Sequence, residues 1–441
     1  MLGPEVEEAR RPGTFAALRH RNFRLFFGGQ CISLIGTWMQ RIAQAWLVLQ
    51  ITNSPFLLGV VGALQWAPVL LLSLPAGVIA DRVNKRNLIV VTQTLQMLQA
   101  LALGLLILTH AVRFWHVAAL AVMLGASQAF DMPTRQAFIF EMVEGADMMN
   151  AVALNSTIVN VARLIGPAIA GIAIGWVGMA WAFLGNGLSF IPVIGALLLM
   201  KVQRVRIVRA EAGIVEHLRE GVAYLLGVPV SLRAIIVLAA ESIFAMNFTL
   251  LTSVYAKDVL HMQATEFGLL MSAQGAGALV GAITVASFAY LGPRPAFLFA
   301  GAICLALANI ALAAVHHFAA AALVLGIGGA SLVTVTATVN TTLQLNAPDR
   351  LRGRVMSVYS LVMGGLTPVG ALVSGTLAQV WGATGAFGVG GAIALASVLG
   401  VMRWHPSPGS APALASQAAG AARWPATAQE QPGGGEEGGG R

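Results

Sequence analysis

Long apolar runs separated by short polar turns dominate the pattern of this chain. Twelve runs are present, and each approaches or exceeds the roughly 20 residues that a helix needs to cross a bilayer. They cover residues 23–49, 56–80, 87–109, 115–140, 151–176, 180–200, 232–256, 266–291, 294–315, 318–344, 354–380 and 384–402. Because backbone polar groups in lipid must pair within their own segment, we expect each run to be a helix. The pattern therefore predicts an all-α polytopic membrane protein with twelve transmembrane helices.

A long polar stretch at residues 201–231 divides the runs into six before it and six after it. Its apolar residues recur at helical spacing, which predicts an amphipathic helix on the membrane surface. Gly166-Pro167 in the fifth run and Thr367-Pro368 in the eleventh are faint echoes of the kind expected from two six-helix pseudo-repeats. We therefore expect an N-terminal segment (1–22), a first half (23–200), a linker (201–231), a second half (232–403) and a disordered Pro- and Gly-rich tail (404–441).

The composition and the positions of the basic residues agree with a membrane protein. The chain is 57% hydrophobic and 10% charged, whereas a soluble domain is about 25% charged. Of its 26 Lys and Arg residues, Arg41, Arg135 and Arg163 fall inside runs, and Arg113 and Lys257 fall at ends on one side. The others gather at the termini and at ends on the other side, which predicts cytoplasmic termini and an integral protein of the cell (inner) membrane. Topology and the lipid bilayer explain the net charge of +8, and no nucleic-acid partner is expected.

The turn between the second and third runs carries a motif. It resembles the loop signature of the major facilitator superfamily, Gly-x-x-x-Asp-Arg-x-Gly-Arg/Lys-Arg/Lys. The matching residues are Gly77, Asp81, Arg82, Lys85 and Arg86. Asn84 replaces the second Gly, and Asn tolerates a left-handed backbone better than most residues do. The resemblance implies a major facilitator fold and a cytoplasmic gate, in which Asp81 serves as a latch.

Four further stretches narrow the resemblance. Residues 22–44, 130–137, 160–171 and 351–357 are similar to the superfamily branch that includes the enterobactin exporter and the macrolide and drug–proton antiporters, of the transmembrane secretion effector type. Gly166-Pro167, with Gly171, resembles a helix 5 motif that marks exporters more than importers. The resemblance implies a proton-coupled antiporter that exports a small amphipathic molecule, drug-like or siderophore-like, by alternating access. Such a protein needs no cofactor, and we expect a monomer.

Polar residues inside the runs are candidates for a substrate cavity. They form stripes at three- and four-residue spacing, and a stripe in a membrane helix needs either a wet cavity or a partner helix. The candidates are Gln30, Ser33, Thr37, Arg41 and Gln44 on helix 1, Asn160 and Arg163 on helix 5, and Ser331, Thr334 and Thr338 on helix 10. The alternative is hydrogen bonding between helices, which Ser and Thr commonly provide in bundles.

Acidic residues inside the runs are candidates for proton coupling. Asp131 and Arg135 are four residues apart on helix 4, so they form either a structural ion pair or a switch in which Arg135 exchanges Asp131 for Asp81. Glu241 lies near the middle of helix 7 without a basic residue within one turn. A lone carboxyl group is more easily held in low dielectric when it carries a proton, which suits a proton carrier. A protonated Glu held by hydrogen bonds in the bundle is the alternative, and we rank Glu241 ahead of Asp131 as carrier.

Two other classes of function compete with an exporter. An importer of a polar nutrient would use the same fold, although the Gly166-Pro167 motif favours export. A polytopic membrane enzyme or lipid-handling protein would need a clustered nucleophile, a metal site or a nucleotide motif, and the sequence contains none that we recognise. We therefore predict neither catalytic residues nor a metal site. Arg41 and Arg163 outnumber Glu241 near mid-membrane, which favours an anionic or amphipathic cargo.

Overall fold

A computed structural model describes residues 15–143, 145–200, 214–288 and 294–404 of the 441-residue chain. These residues form fourteen α-helices and two short 3-10 helices. The first helix group is α1 (Arg21–Thr52), α2 (Pro55–Arg82), α3 (Lys85–Leu108), α4 (Phe114–Met142), α5 (Met148–Val177) and α6 (Met179–Leu199). Then come α7 (Ile214–Gly227) and the second helix group, which is α8 (Pro229–Phe244), α9 (Phe248–Asp258), α10 (Ala264–Ser287), α11 (Pro295–Ala314), α12 (Phe318–Asn346), α13 (Asp349–Gly365) and α14 (Thr367–Arg403). Most of the predicted N-terminal segment, residues 201–213 of the linker and nearly all of the tail lie outside the described residues.

The helices are consistent with the predicted twelve crossings. Nine segments of the described chain are long and apolar enough to span a membrane, and one of them, Asp349–Arg403, is 55 residues long. At about 1.5 Å per residue it exceeds twice the roughly 30 Å of a bilayer core. Gly382 interrupts it with a φ of 72°, so this segment holds two crossings. Helices α1 and α4, of 32 and 29 residues, are too polar to count among the nine but are long enough to cross.

The seventh predicted run, 232–256, is not one continuous helix, and in this respect the prediction is wrong. Helix α8 ends at Phe244 and α9 begins at Phe248, so three residues separate the two helices. At the break, the backbone N–H groups of Ala245 and Met246 both donate to the Glu241 carbonyl at 2.9 Å, and the Asn247 side chain donates to the Ile243 carbonyl at 3.1 Å. The Asn side chain competes with the helix ladder for a backbone acceptor, which favours a break here. Irregular backbone at membrane depth is tolerated where it lines a cavity.

The eleventh predicted run also breaks, at Leu366 between α13 and α14. Pro368 in the first turn of α14 has no backbone N–H with which to continue the hydrogen-bond ladder of α13. Both breaks therefore fall in the second helix group, and residues beside both line the same cavity.

The two helix groups meet along two pairs of helices, α5 with α10 and α2 with α14. At each pair a glycine allows close approach. A Cβ on Gly171 would lie 2.7 Å from the Thr265 carbonyl oxygen, and one on Gly375 would lie 2.8 Å from the Pro55 carbonyl oxygen. The Thr265 hydroxyl also donates to the Gly171 carbonyl at 3.0 Å. Small residues at a helix contact let backbones approach and gain van der Waals contact where lipid supplies no hydrophobic driving force.

The bundle has two ends, which differ in the helices and turns that they carry. We call the end that carries α7, the α2–α3 turn and the start of α13 the linker face. The other end, which carries the α1–α2 turn and Lys257, is the opposite face.

Candidate functional site

A cavity of about 1010 Å³ lies between the two helix groups. The first group contributes side chains from α1, α2, α4 and α5, and the second contributes the α8–α9 break, α10, α12, α13 and α14. Its wall extends to Leu218 of α7 and to Gly353 and Ser357 near the start of α13. The cavity therefore reaches from the middle of the bundle toward the linker face.

The opposite face is held shut by hydrogen bonds between the two groups. Lys257 Nζ donates to Asn53 Oδ1 at 2.5 Å and to the Leu49 carbonyl at 3.1 Å, at the C-terminal end of α1. The Ser54 hydroxyl donates to Gln379 Oε1 at 2.8 Å, which joins the start of α2 to α14. A cation at a helix C-terminus is favourable because the last carbonyls point toward it. The cavity is thus closed at the end that carries Lys257.

Arg41 and Arg163, both predicted as cavity residues, lie on the cavity wall beside Trp38. The two guanidinium carbons lie 4.6 Å and 5.5 Å from the centre of the Trp38 ring, within the range of cation–π attraction. Among the described residues neither arginine forms an ion pair, and Arg41 Nε is buried without a hydrogen-bond partner. Two cations from different helices therefore share one aromatic ring at the cavity.

Gln44 is the third predicted residue on the cavity wall, and the other seven lie elsewhere. Gln30 accepts from Arg135 at 2.9 Å, Thr37 donates to the Ser33 carbonyl at 2.9 Å, and Asn160 donates to the Ser156 carbonyl at 2.9 Å. On α12, Ser331 and Thr338 are buried, while Thr334 donates to the Ala330 carbonyl at 2.9 Å and packs near Gly301. Of these seven residues only Gln30 shows, within the described chain, the hydrogen bond between helices that was the alternative, while Thr37, Asn160 and Thr334 bond within their own helices.

Several cavity residues were missed by sequence reasoning. Gln65, Gln128 and Asn247 line the wall, and each is an amide side chain inside an apolar run. The same signal that selected Gln44 would have selected them. What the sequence lacked was the helix break beside Asn247, which turns this position toward the cavity.

A chain of buried amides lies next to the cavity in the first helix group. Asn186 donates to Gln40 at 2.6 Å, and Gln40 donates to Gln99 at 2.8 Å. Gln44 donates to Gln65 at 3.1 Å. These residues, with Thr37, surround a space of about 10 Å³, close to the room that one water needs. This region is a polar core inside a membrane bundle.

Asp131 is held by three side chains. Its Oδ1 accepts from the Thr92 hydroxyl and from Gln93 Nε2, each at 2.9 Å, and its Oδ2 forms an ion pair with Arg135. Arg135 in turn reaches Gln30. The structural ion pair that the spacing allowed is therefore present, with additional hydrogen bonds to the carboxylate.

Glu241 has the opposite surroundings. It is 0% exposed, and neither carboxyl oxygen has a hydrogen-bond partner among the described residues. Five helices pack against α8, and three of them, α11, α12 and α14, carry only Cys304 and Arg403 as ionisable side chains. The other two, α7 and α13, carry several charged residues, of which Glu220 pairs with Arg354 and Asp349 with Arg352. Its neighbour Ser242 lines the cavity. The carboxyl group therefore lies one residue along the chain from the cavity wall, and no described residue forms an ion pair with it.

The signature turn forms local contacts on the linker face. Lys85 Nζ pairs with Glu141 at 2.6 Å, and Arg86 donates to the Leu198 carbonyl at 2.9 Å. Asn84 has a φ of −66°, so its backbone is not left-handed, and it caps α3 through its side chain. The cap explains the residue, because an Asn oxygen satisfies a free N–H at a helix start. The Asp81 side chain lies outside the description, while Gly77 has open space at its Cβ position and Arg82 is exposed.

The Gly166-Pro167 motif on α5 touches both neighbours of that helix. A Cβ on Gly166 would lie 2.6 Å from Trp38 Cβ on α1. One turn further on, Gly171 faces Thr265 of α10. The motif therefore allows α5 to pack closely against α1 on one side and α10 on the other.

An all-helical bundle with membrane-spanning helices and a cavity between two helix groups defines a polytopic membrane transporter. Solved structures share the fold. A bacterial homologue of the human lysosomal transporter Spinster, inward-facing and unoccupied, matches with a TM-score of 0.67 and 16% identity, over 92% of this chain and 99% of that one. The nucleoside transporter NupG matches with a TM-score of 0.70 and 10% identity, over 88% of this chain and 100% of that one.

The chain belongs to the transmembrane secretion effector family, whose model matches residues 12–431, and with it to the major facilitator superfamily. It is similar to the staphyloferrin A transporter of Staphylococcus aureus, 25% identical over 83% of this chain and 92% of that protein. It is also similar to the multidrug efflux pump Tap of Mycolicibacterium fortuitum, 27% identical over 79% and 87%. The predicted family is thus confirmed, and the chain is a secondary transporter of small molecules and not an enzyme.

Proposed function

We propose that this protein is a proton-coupled exporter of a small amphipathic molecule, acting as a monomer in the inner membrane by alternating access. The observation that carries the proposal is the cavity that reaches the linker face, with an unpartnered buried carboxyl group one residue from its wall. Similarity to a siderophore transporter and to a multidrug efflux pump supports a cargo of that kind.

Alternating access needs two bodies that move against each other. We assign these to residues 23–200 and 232–403, joined by the linker at 201–231. The contacts at α5–α10 and α2–α14 are the pivots, because glycines there allow the backbones to slide closely. Opening the opposite face requires Lys257 to leave Asn53 and Leu49. The arginines Arg82 and Arg86, with Asp81, Lys85 and Arg135, form the gate on the linker face.

The linker face is cytoplasmic in this proposal, as the distribution of basic residues indicates. Single cysteines at positions 212 and 316, in a chain without Cys31 and Cys304, test the orientation. An impermeant thiol reagent added outside cells should label position 316 and leave position 212 unlabelled until the cells are opened. Labelling of position 212 in intact cells would contradict the topology.

Glu241 is the proposed proton carrier, with Asp131 second. A carrier must lose its proton when the cavity opens to one side and regain it from the other, and a permanent cation beside it would hold it ionised. Asp131 has Arg135 as such a cation, whereas Glu241 has none among the described residues. The carrier assignment therefore follows the difference in their surroundings.

Proteoliposomes with an imposed pH gradient test the coupling. Carboxyfluorescein and ethidium are tested separately as probes. The wild type should move at least one of them against its concentration gradient, at a rate that depends on pH. Glu241→Gln, which resembles the protonated acid, should stop uphill movement while downhill exchange continues. The matched control is Glu266→Gln, a substitution at a capping residue of α10, and this variant should keep proton coupling. Wild-type pH dependence in Glu241→Gln would pass the role to Asp131, and probe accumulation in the opposite direction would indicate an importer.

A further inference from the structure

Two guanidinium groups lie over one aromatic ring, that of Trp38, on the cavity wall. Arg41 lies three residues after Trp38 on α1, while Arg163 comes from α5, and both carbons fall within 5.5 Å of the ring centre. Like charges this close repel each other, more strongly in a site with little water than in bulk solvent. Among the described residues Asp131, Glu141, Glu220 and Asp349 pair with Lys or Arg side chains and Asp147 with His20, and no ion pair of the described chain includes Arg41 or Arg163.

The Trp38 ring alone does not satisfy the two guanidinium groups. Cation–π attraction does not replace the hydrogen bonds that a guanidinium group makes in water. Arg41 Nε in particular is buried without an acceptor in the described chain. A group that brings negative charge and acceptor oxygens between the two arginines would satisfy both needs, and planar anions match the guanidinium fork.

The remaining wall shows what else the ligand carries. Leu58, Val61, Met132, Met271 and Met356 line the same cavity. Met side chains adapt to different apolar shapes. A ligand that fits has a carboxylate at one end and an apolar body.

Gly166 is part of the same arrangement. Its missing side chain leaves room for Trp38, because a Cβ there would lie 2.6 Å from Trp38 Cβ and 3.1 Å from the Ile35 carbonyl oxygen. Arg163 lies three residues earlier on α5, on the same side of the helix. The close packing of α5 on α1 therefore brings Arg163 over a ring that belongs to the other helix.

We propose that Trp38, Arg41 and Arg163 form an anion subsite, which binds the carboxylate of an amphipathic cargo, and that Gly166 is a positioning residue for it. This inference rests on the proposed transport function and specifies its cargo. The carboxylate lies between the guanidinium groups, and the apolar body extends along the Met-lined wall.

Equilibrium binding tests the subsite independently of transport. The full-length protein in phosphatidylcholine nanodiscs is titrated with carboxyfluorescein and, separately, with its dimethyl ester, in which both carboxylates are replaced, and fluorescence anisotropy gives the affinity. Because a hydrogen bond to a charged group is worth about 1.5–3 kcal/mol, Arg41→Gln and Arg163→Gln should each weaken carboxyfluorescein binding about tenfold or more. Binding of the ester should change less than about threefold. Arg403→Gln, which removes an exposed cation at the end of α14, is the charge-matched control and should change neither affinity.

Three outcomes would overturn the subsite. The first is a double variant, Arg41→Gln with Arg163→Gln, that binds carboxyfluorescein as the wild type does. The second is an equal loss for the acid and the ester, which would indicate a damaged cavity without charge recognition. The third is loss of carboxyfluorescein binding when phosphatidylglycerol is added to the wild-type nanodisc, which would make a lipid phosphate the occupant. Anion binding without pH-driven transport would refute the proposed exporter and leave the subsite standing.

A pair of glycine variants tests the positioning role. Gly166→Ala should weaken carboxyfluorescein binding more than binding of the ester, because it displaces Trp38 and Arg163 relative to each other. Gly195→Ala on α6, where nothing lies within 4 Å of the new Cβ, is the control. If Gly166→Ala keeps the wild-type ratio of the two affinities, then Gly166 has no part in the subsite.

Discussion

The two buried acids of this bundle lie in contrasting surroundings. Asp131, in the first helix group, accepts hydrogen bonds from Thr92 and Gln93 and pairs with Arg135. Glu241, in the second helix group, has no partner for either oxygen among the described residues. A buried carboxylate is stabilised by donors and a cation, while a buried carboxyl group without them is favoured in its neutral form. Two acids that are both buried therefore differ in the protonation state that their surroundings favour.

The surroundings of the two acids follow from how each helix group is packed. The first group contains a polar core of amide side chains, in which Asn186, Gln40 and Gln99 are joined by hydrogen bonds. Another amide of this group, Gln93 on α3, donates to Asp131 on α4. The second group is packed through small residues. A Cβ on Gly281 would lie 2.5 Å from the Ala330 carbonyl oxygen, and the Thr334 and Thr336 hydroxyls on α12 donate to carbonyls of their own helix. An acid placed in the second group therefore finds backbone and methyl groups where the first group offers donors.

The largest effect on stability is expected for Asp131→Asn. The change leaves Arg135, a mostly buried cation, without its counter-ion, and breaking such a pair typically costs about 3 kcal/mol or more. Unfolding in mixed micelles should show this loss. Asp349→Asn, which removes an acid that is 91% exposed in a surface pair with Arg352, is the control and should be indistinguishable from wild type. If Asp131→Asn and Asp349→Asn are equally stable, then Asp131 is not held by its ion pair. The contrast with Glu241, on which the carrier assignment rests, would then be lost.

A smaller effect is expected for Thr92→Val. The substitution keeps the shape of the side chain and removes the hydroxyl that donates to Asp131, which should cost about 1 kcal/mol in the same assay. Thr376→Val on α14 removes an exposed hydroxyl that donates only to the Leu372 carbonyl of its own helix. If both valine variants behave alike, the hydroxyl of Thr92 does not support Asp131.

The smallest effect is expected for Glu241→Gln. The amide has nearly the same volume as the acid, and no hydrogen bond is lost because the described chain provides none, so stability should change by less than about 1 kcal/mol. The same variant should abolish coupled transport, so stability and function should separate. A loss as large as that of Asp131→Asn would mean that Glu241 has a partner and is a structural residue.

The sequence predicted most of the architecture because membrane helices leave a strong one-dimensional signal. A run of apolar residues with basic ends can form little else in lipid, so Pro295–Ala314 and Phe318–Asn346 match their predicted runs within two residues. The signal failed at 245–247 and at Leu366, where the residues on both sides are still apolar. A break that lines a cavity does not change composition, so only the backbone reveals it.

The candidate site was only partly predictable. Polar spacing identified Arg41, Gln44 and Arg163, which do line the cavity, and also Ser331, Thr334 and Thr338, which do not. Spacing gives the face of a helix, but it does not say whether that face meets a neighbour or a cavity. That outcome depends on the packing of other helices, which a single helix does not encode.

The sequence by itself determined the family, the membrane class and the residue types that could carry charge in lipid. Tertiary structure alone decided which of them share a space. Arg41 and Arg163 are 122 positions apart, yet both lie over Trp38 because Gly166 lets two backbones approach. Asp131 has a cation one helical turn away, which spacing revealed, whereas its donors Thr92 and Gln93 come from another helix. Composition and periodicity are local properties of the chain, while partners at a buried site are set by long-range packing.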